Sequence, residues 1–477
     1  MSIWKMSRKQ ILTLIAMASI NFSSMICYSI LAPFFPPEAE KKGVSQAVIG
    51  LIFGCYALCT LVGSLILGKY IVQIGAKCMI NAGLFISGVC TVIFGFLDRA
   101  PEGTVFIVLC LLIRCVNAVG FAAAVTSSFA VSAKVFPHNI ATILGFMEVF
   151  TGIGLILGPP LGGWMYESFG YEIPFIALGS LLFLAVPLNM WILPNFDAVA
   201  SQGSFIRLCS RGKIMLICFV VFTLSSGIGF LDATLSLYAM EKFSLSTGSV
   251  GLLMIGVSLP YGAASPVFGI ISDKYPFIRK WMMVFGGIAT AVSFCFLGPV
   301  PVLHIESDLW LTVVMLVVIG FSLCMTCIPT FTEMLICAHE NDFEDDLGTL
   351  GLVSGLFSAV WSAGMFFGPT FGGFITQKLS FEWGARLQGV LTLISAVLLT
   401  VQLAKEDIPK KRFQEINGIE FNLATGEKSP LLSSSLSSSD KFNKTLNRLF
   451  SLALEDAPPD FRHFSTKEVQ LLPLVTA

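Results

Sequence analysis

Four ionisable residues stand inside long apolar stretches: Arg114, Glu148, Asp232 and Glu333. A charge in mid-bilayer costs several kcal/mol unless it faces a water-filled cavity or a partner, so each marks a candidate proton or ion path. With ~1.5 Å of rise per residue, Glu148 lies about 13 Å inside its stretch, and Arg114 is similarly deep from the other side. Asp232 and Glu333 sit in outer thirds on opposite sides, so the four would line a path across. A single carboxylate cannot hold a proton and a cation together, and that exclusion suits an exchange of the two. Each residue also has a plainer role. Arg114 either pairs with Glu148 to lock two helices or tunes a nearby acid for proton transfer, and Glu148 either works or merely neutralises Arg114. Asp232 either binds a cation or proton or is an interface residue. Glu333, five residues from a span end, either functions or snorkels.

The elements that hold these residues follow from composition. Of 477 residues, 55% are hydrophobic and 12% charged, about half the charged share of a soluble domain. Most of this surface must face lipid, which excludes a cytosolic enzyme and a secreted disulfide scaffold. The net charge of −1 draws no nucleic acid. Nearly all of the thirteen cysteines lie in apolar runs as small packing residues. Cys324 and Cys327 form a CxxC without a second pair, so no metal is expected there. Four histidines without nucleophile–base spacing give no catalytic constellation. No cofactor is expected, and the first apolar run is too long for a signal peptide.

A spanning helix needs roughly 20 apolar residues. Twelve stretches qualify: 11–32, 46–70, 77–97, 104–132, 140–166, 172–194, 213–238, 247–272, 281–300, 309–338, 347–377 and 384–404. The expected fold is an all-α integral membrane protein of two six-helix bundles, 1–194 and 213–404, joined by a polar cytosolic linker, 195–212. With the N-terminus in the cytosol, that side holds sixteen basic residues against six opposite, so both termini are expected there. From 405 to 477 the chain turns polar and is expected to be a disordered tail. Within it, Glu427-Lys-Ser-Pro-Leu431-Leu432 has the form of an acidic dileucine signal read by clathrin adaptors.

The two halves repeat each other. Gly152-Ile-Gly154-Leu-Ile-Leu-Gly158-Pro159-Pro-Leu-Gly162-Gly163 in the fifth span is echoed by Gly364-Met-Phe-Phe-Gly368-Pro369-Thr-Phe-Gly372-Gly373 in the eleventh. Glycines let helices touch backbone to backbone, and proline removes a helical hydrogen bond and permits a bend. These spans are therefore expected to pack closely yet flex. Gly68 to Gly75 after the second span is matched by Gly269 to Asp273-Lys274 after the eighth.

These motifs resemble the signatures of the major facilitator superfamily over all twelve spans. The family loop pattern is roughly G-x-x-x-D-R-x-G-R-[RK]. Here Asp273 and Lys274 keep the acid and base in the second half, and Val72 and Gln73 replace them in the first. The GPxxGG helix is similar to one marking proton antiporters, and Arg114 to Gly120, with Asn117, resembles the antiporter motif RxxQGxG. Gly227 to Met240, with Asp232 and Tyr238, resembles the seventh span of the vesicular amine transporter branch.

That resemblance implies proton-driven loading of organic cations into acidic vesicles or lysosomes by alternating access. The monoamine carriers' acid in span one is absent, and Ser358 stands where they have an acid in span eleven. A polyamine such as spermine or spermidine, a flexible chain of ammonium groups, suits spaced carboxylates with aromatic faces between them, for which Tyr28, Tyr238, Tyr261, Trp361 and Phe121 are candidates. A carrier of monoamines or other small molecules, or a non-transporting receptor on the same scaffold, is the alternative.

Overall fold

The computed structural model describes residues 6–31, 35–193, 205–245, 247–297, 308–344 and 346–425, with side chains placed as far as Lys405. The first half comprises α1 (Arg8–Ser29), α2 (Phe35–Lys41), α3 (Gln46–Ile74), α4 (Ala76–Gly95), α5 (Thr104–Val135), α6 (Ile140–Phe169) and α7 (Glu172–Ile192). After the short α8 (Phe205–Cys209) come α9 (Gly212–Phe243), α10 (Thr247–Lys274), α11 (Pro276–Leu297), α12 (Leu309–His339), α13 (Leu347–Lys378) and α14 (Phe381–Thr425). Among the described residues, twelve helices are long and apolar enough to cross a membrane. They answer to the twelve stretches read from sequence.

Three features depart from the expected outline. Helix α2 follows the first span, and α8 lies in the segment read as a linker. Helix α14 continues to Thr425, past the point where a disordered tail was expected to begin. The chain divides at Lys405: Met1–Ala404 form one compact unit, and the described part of the other is the end of α14.

Within the first half α1 packs on α6, and α4 packs on α5 and α7. In the second, α9 packs on α13, and α10 and α11 on α12. The halves meet along α3 with α13 and α6 with α10. We call the side where α1 begins the terminal face. Small residues set these packings. Cβ atoms built on Gly83 and Gly120 would lie 2.5 and 2.9 Å from each other's carbonyl oxygens, so only glycine lets α4 and α5 approach this closely. Gly75 joins α3 to α4 at φ +89°, a left-handed conformation that a side chain strains. Outward, Leu184, Trp191, Leu252 and Phe277 are more than two-thirds exposed, as a lipid-facing surface requires.

On the side away from the terminal face, α2 is tied down by charge. Glu38 accepts from Tyr166 at the end of α6 and from Lys41. Partial burial pushes the Glu38 carboxyl up, but hydrogen bonds from Lys41 and Tyr166 outweigh it and hold it below the usual range. Lys42 donates to the Ala100 carbonyl at 3.2 Å and lies 5.3 Å from the centre of the Phe106 ring.

Candidate functional site

Asp232 on α9 is exposed although it lies inside a span, and its charge acts on the Tyr28 phenol of α1. An exposed carboxylate facing the opposite half requires solvent-accessible space between the halves. Tyr28 is half-buried, with its ring 5.5 Å from that of Tyr56, which in turn is 5.7 Å from Phe121. Among the described residues no ion pair neutralises Asp232. The wall therefore offers a bare carboxylate beside aromatic rings, a combination that receives an ammonium group.

Arg114 is 2% exposed and packs over the rings of Tyr56 at 4.6 Å and Phe53 at 5.4 Å. Its Nε and Nη2 atoms find no hydrogen-bond partner among the described residues. Of its two readings, the pairing with Glu148 is not made, because α5 and α6 touch only slightly. The guanidinium instead shares the Tyr28 phenol with Asp232 as an electrostatic neighbour. Asn117 follows one turn later on α5 and is half-buried.

Glu148 is half-buried on α6, with the Tyr261 hydroxyl of α10 against its carboxylate. Cys327 and Cys324 of α12 complete this group around Tyr261. Glu148 thus faces a tyrosine of the other half.

Glu333 does not line the cavity. It is 4% exposed and pairs with Arg279 at 3.5 Å, which argues against the snorkelling role. Arg279 also donates to the Ser272 carbonyl at 3.0 Å and lies 3.9 Å from Asp273. Asp273 in turn accepts from the backbone amides of Thr142 at 2.7 Å and Ala141 at 3.3 Å. This carboxylate caps the start of α6 from the other half, satisfying amides that a helix cannot pair internally. Lys274, the base of the loop pattern, is exposed over the Tyr275 ring; the cation beside Asp273 is Arg279.

Tyr238 also lies elsewhere. It is buried and stacks on Phe381 at 4.0 Å, where α9 meets the start of α14. Six residues rotate a helix by about 240°, so Tyr238 and Asp232 occupy different faces of α9.

The repeated glycine motifs pack within their own halves. A Cβ on Gly154 would lie 2.9 Å from the Phe22 carbonyl, one on Gly158 would collide with Ser29, both on α1, and one on Gly162 with Ile30 just past its end. Cβ atoms on Gly364, Gly368 and Gly372 would collide with Ser225, Ser226 and Phe230 of α9. Pro369 packs on Gly229 of the same helix, while Gly163 and Gly373 have open space. The side chain of Pro159 is outside what is described. At the terminal face, Gly68 approaches Gly351 and Gly355.

Between the cavity and the terminal face, Phe129 of α5, Phe331 of α12 and Phe357 of α13 pack with ring centres 5.3 to 5.5 Å apart. Trp361 stacks beyond Phe357 at 6.4 Å. Farther from that face the approach is less tight: a Cβ on Gly54 would meet Phe366 at 3.6 Å, and one on Gly152 would meet Gly262 at 3.9 Å, ordinary van der Waals distances. This structure is closed at the terminal face. Sequence reading missed Tyr56 and the phenylalanine cluster, since aromatic residues in an apolar span carry no mark of their partners. Glu427, Leu431 and Leu432 lie outside the described residues.

The profile described as Major Facilitator Superfamily matches residues 17–206 and 215–454. The chain is 55% identical over 412 residues to the MFS-type transporter SLC18B1 of Homo sapiens, covering 86% of this chain and 90% of that protein. It is 21% identical over 388 residues to the human synaptic vesicular amine transporter, covering 78% of this chain and 70% of that one. Among solved structures, the human organic anion transporter MFSD10 (TETRAN) superposes with a TM-score of 0.68 at 13% identity, over 82% of this chain and 99% of that one. The last likeness concerns fold alone. Twelve spans in two repeated halves, packed together at one face, fit a transporter and not an enzyme, and the chain belongs to the major facilitator superfamily.

Proposed function

We propose that this protein exchanges protons for organic cations, polyamines such as spermine and spermidine foremost, and loads them into acidic vesicles or lysosomes by alternating access. The observation that carries the reading is Asp232: an exposed carboxylate inside a span, without an ion-pair partner among the described residues, beside Tyr28 of the opposite half. Retaining an intramembrane charge is costly unless it has a use. Names among the relatives, such as the synaptic vesicular amine transporter, favour an amine as cargo. In this reading the terminal face is cytosolic, the cavity faces the lumen, and Asn117 and Arg114 flank the path. Glu427, Leu431 and Leu432 act as the sorting signal through a clathrin adaptor.

Purified protein in liposomes with an imposed pH gradient tests the function. Labelled spermidine accumulates with wild type, and Asp232→Asn abolishes accumulation while the protein still folds and reconstitutes. Normal accumulation by that variant, or none by wild type, overturns the reading.

A further inference from the structure

We infer that Glu148, rather than Asp232, carries the exchanged proton, and that its contact with Tyr261 ties that proton to the closing of α6 against α10. The inference rests on the antiport reading above and divides its labour between two acids.

The two sites differ in what surrounds them. Asp232 is exposed, with Tyr28 before it and the Tyr56 ring behind that. Such a place is open to a solvated ammonium group. Glu148 is less exposed, and no cation acts on it among the described residues. The titratable groups that face it are the Tyr261 phenol from α10 and the Cys327 and Cys324 thiols from α12. No charged group from α1, α5 or α7 acts on it among the described residues. Weakly polar neutral neighbours suit a carboxyl that alternates between COOH and COO⁻ and give an ammonium chain little to hold.

Position supplies the coupling. Glu148 lies between Gly145 and Gly152, the two glycines by which α6 meets α10. The Ser265 hydroxyl donates to the Gly145 carbonyl at 2.8 Å on one side, and Gly152 faces Gly262 on the other. Tyr261 lies next to Gly262 and one turn from Ser265. When Glu148 is ionised, the Tyr261 hydroxyl donates to the carboxylate and holds the two helices together. When a proton from water on the open side occupies the carboxyl oxygen, that oxygen loses acceptor strength and the contact slackens. On the opposite side the same O–H bond breaks and the proton returns to water. No other bond is made or broken.

Two measurements on full-length protein decide the matter. In proteoliposomes, Glu148→Gln lowers pH-driven accumulation of labelled spermidine at least about tenfold, yet retains counterflow of labelled against unlabelled spermidine at equal pH. Asp232→Asn loses both, and Glu148→Asp recovers part of the accumulation. The second arm needs no substrate: hydrogen exchange of the α10 amides around Tyr261 is followed against pH. It varies with pH in wild type and is flat in Glu148→Gln. Wild-type accumulation by Glu148→Gln, loss of counterflow in that variant while it melts like wild type, or an unchanged exchange profile would overturn the inference. Absence of spermidine transport by wild type would overturn the proposed function instead, while the exchange arm would still read Glu148.

Discussion

The two seams between the halves, α3 with α13 and α6 with α10, are equivalent in position and built differently. In the first, Gly68 faces Gly351 and Gly355, and a Cβ on Gly355 would lie 2.6 Å from the Ser64 carbonyl. Val72 and Gln73 stand where the loop pattern has charge, so this seam is backbone against backbone. In the second, Gly269 meets Ala141 and Thr142 just as closely, and Asp273 adds a polar latch backed by Arg279 and Glu333. Helix capping accounts for the difference. The start of α13 is capped by its own Asp346, which accepts from the Thr349 amide at 2.8 Å. The start of α6 has Asn139 at that place with no side-chain cap, so its amides depend on Asp273 from the other half. One seam closes by shape, and the other also closes by satisfying donors that would otherwise lack partners.

This contrast can be broken at either seam. The largest effect is expected from Gly355→Val. Its added atoms meet backbone that cannot yield, overpacking costs about 1–3 kcal/mol or more, and the terminal face no longer shuts. Uptake into liposomes should fall below detection while the purified variant remains monodisperse. Retained uptake would mean that the first seam tolerates a gap. Next is Asp273→Ala, which strips the cap from α6. Leaving buried donors unsatisfied costs roughly 1–3 kcal/mol, so the Ala141 and Thr142 amides should exchange hydrogen about tenfold faster or more. Unchanged protection there would dismiss the latch. The smallest effect is expected from Val72→Asp, which restores the acid to the first loop. Because Asp346 already caps α13, the new carboxylate gains little, and the transport rate should stay within about twofold of wild type. A larger slowing would show that the first seam has uncapped donors after all.

Much of the fold was legible because twelve apolar stretches of this length leave little choice in a membrane, where such a stretch satisfies its backbone as a helix. The repeated GPxxGG was legible as close packing, but its partners were not. Glycine announces contact without saying with what, and the neighbours are α1 and α9. The site was read less completely. Arg114 and Glu148 lie on consecutive long spans, yet consecutive spans need not touch, and these hardly do. Glu333 looked like a cavity acid because its partner Arg279 lies 54 positions away. Tyr238 shares a motif with Asp232, but helical rotation turns it to another face. Asp273 was visible as an acid in a loop, whereas its partners are main-chain amides, which every residue but proline carries.

The meeting of Phe129, Phe331 and Phe357 carries a consequence of a different kind. Water crosses narrow passages as a hydrogen-bonded file, and such a file conducts protons far faster than any carrier turns over. Three rings in mutual contact leave that file nothing to bond to, and hydrophobic constrictions of this sort empty of water. Under the proton-driven exchange proposed above, the rings would therefore be insulation. They would keep the molecule from short-circuiting the gradient during the time it waits, loaded or empty, between one turnover and the next.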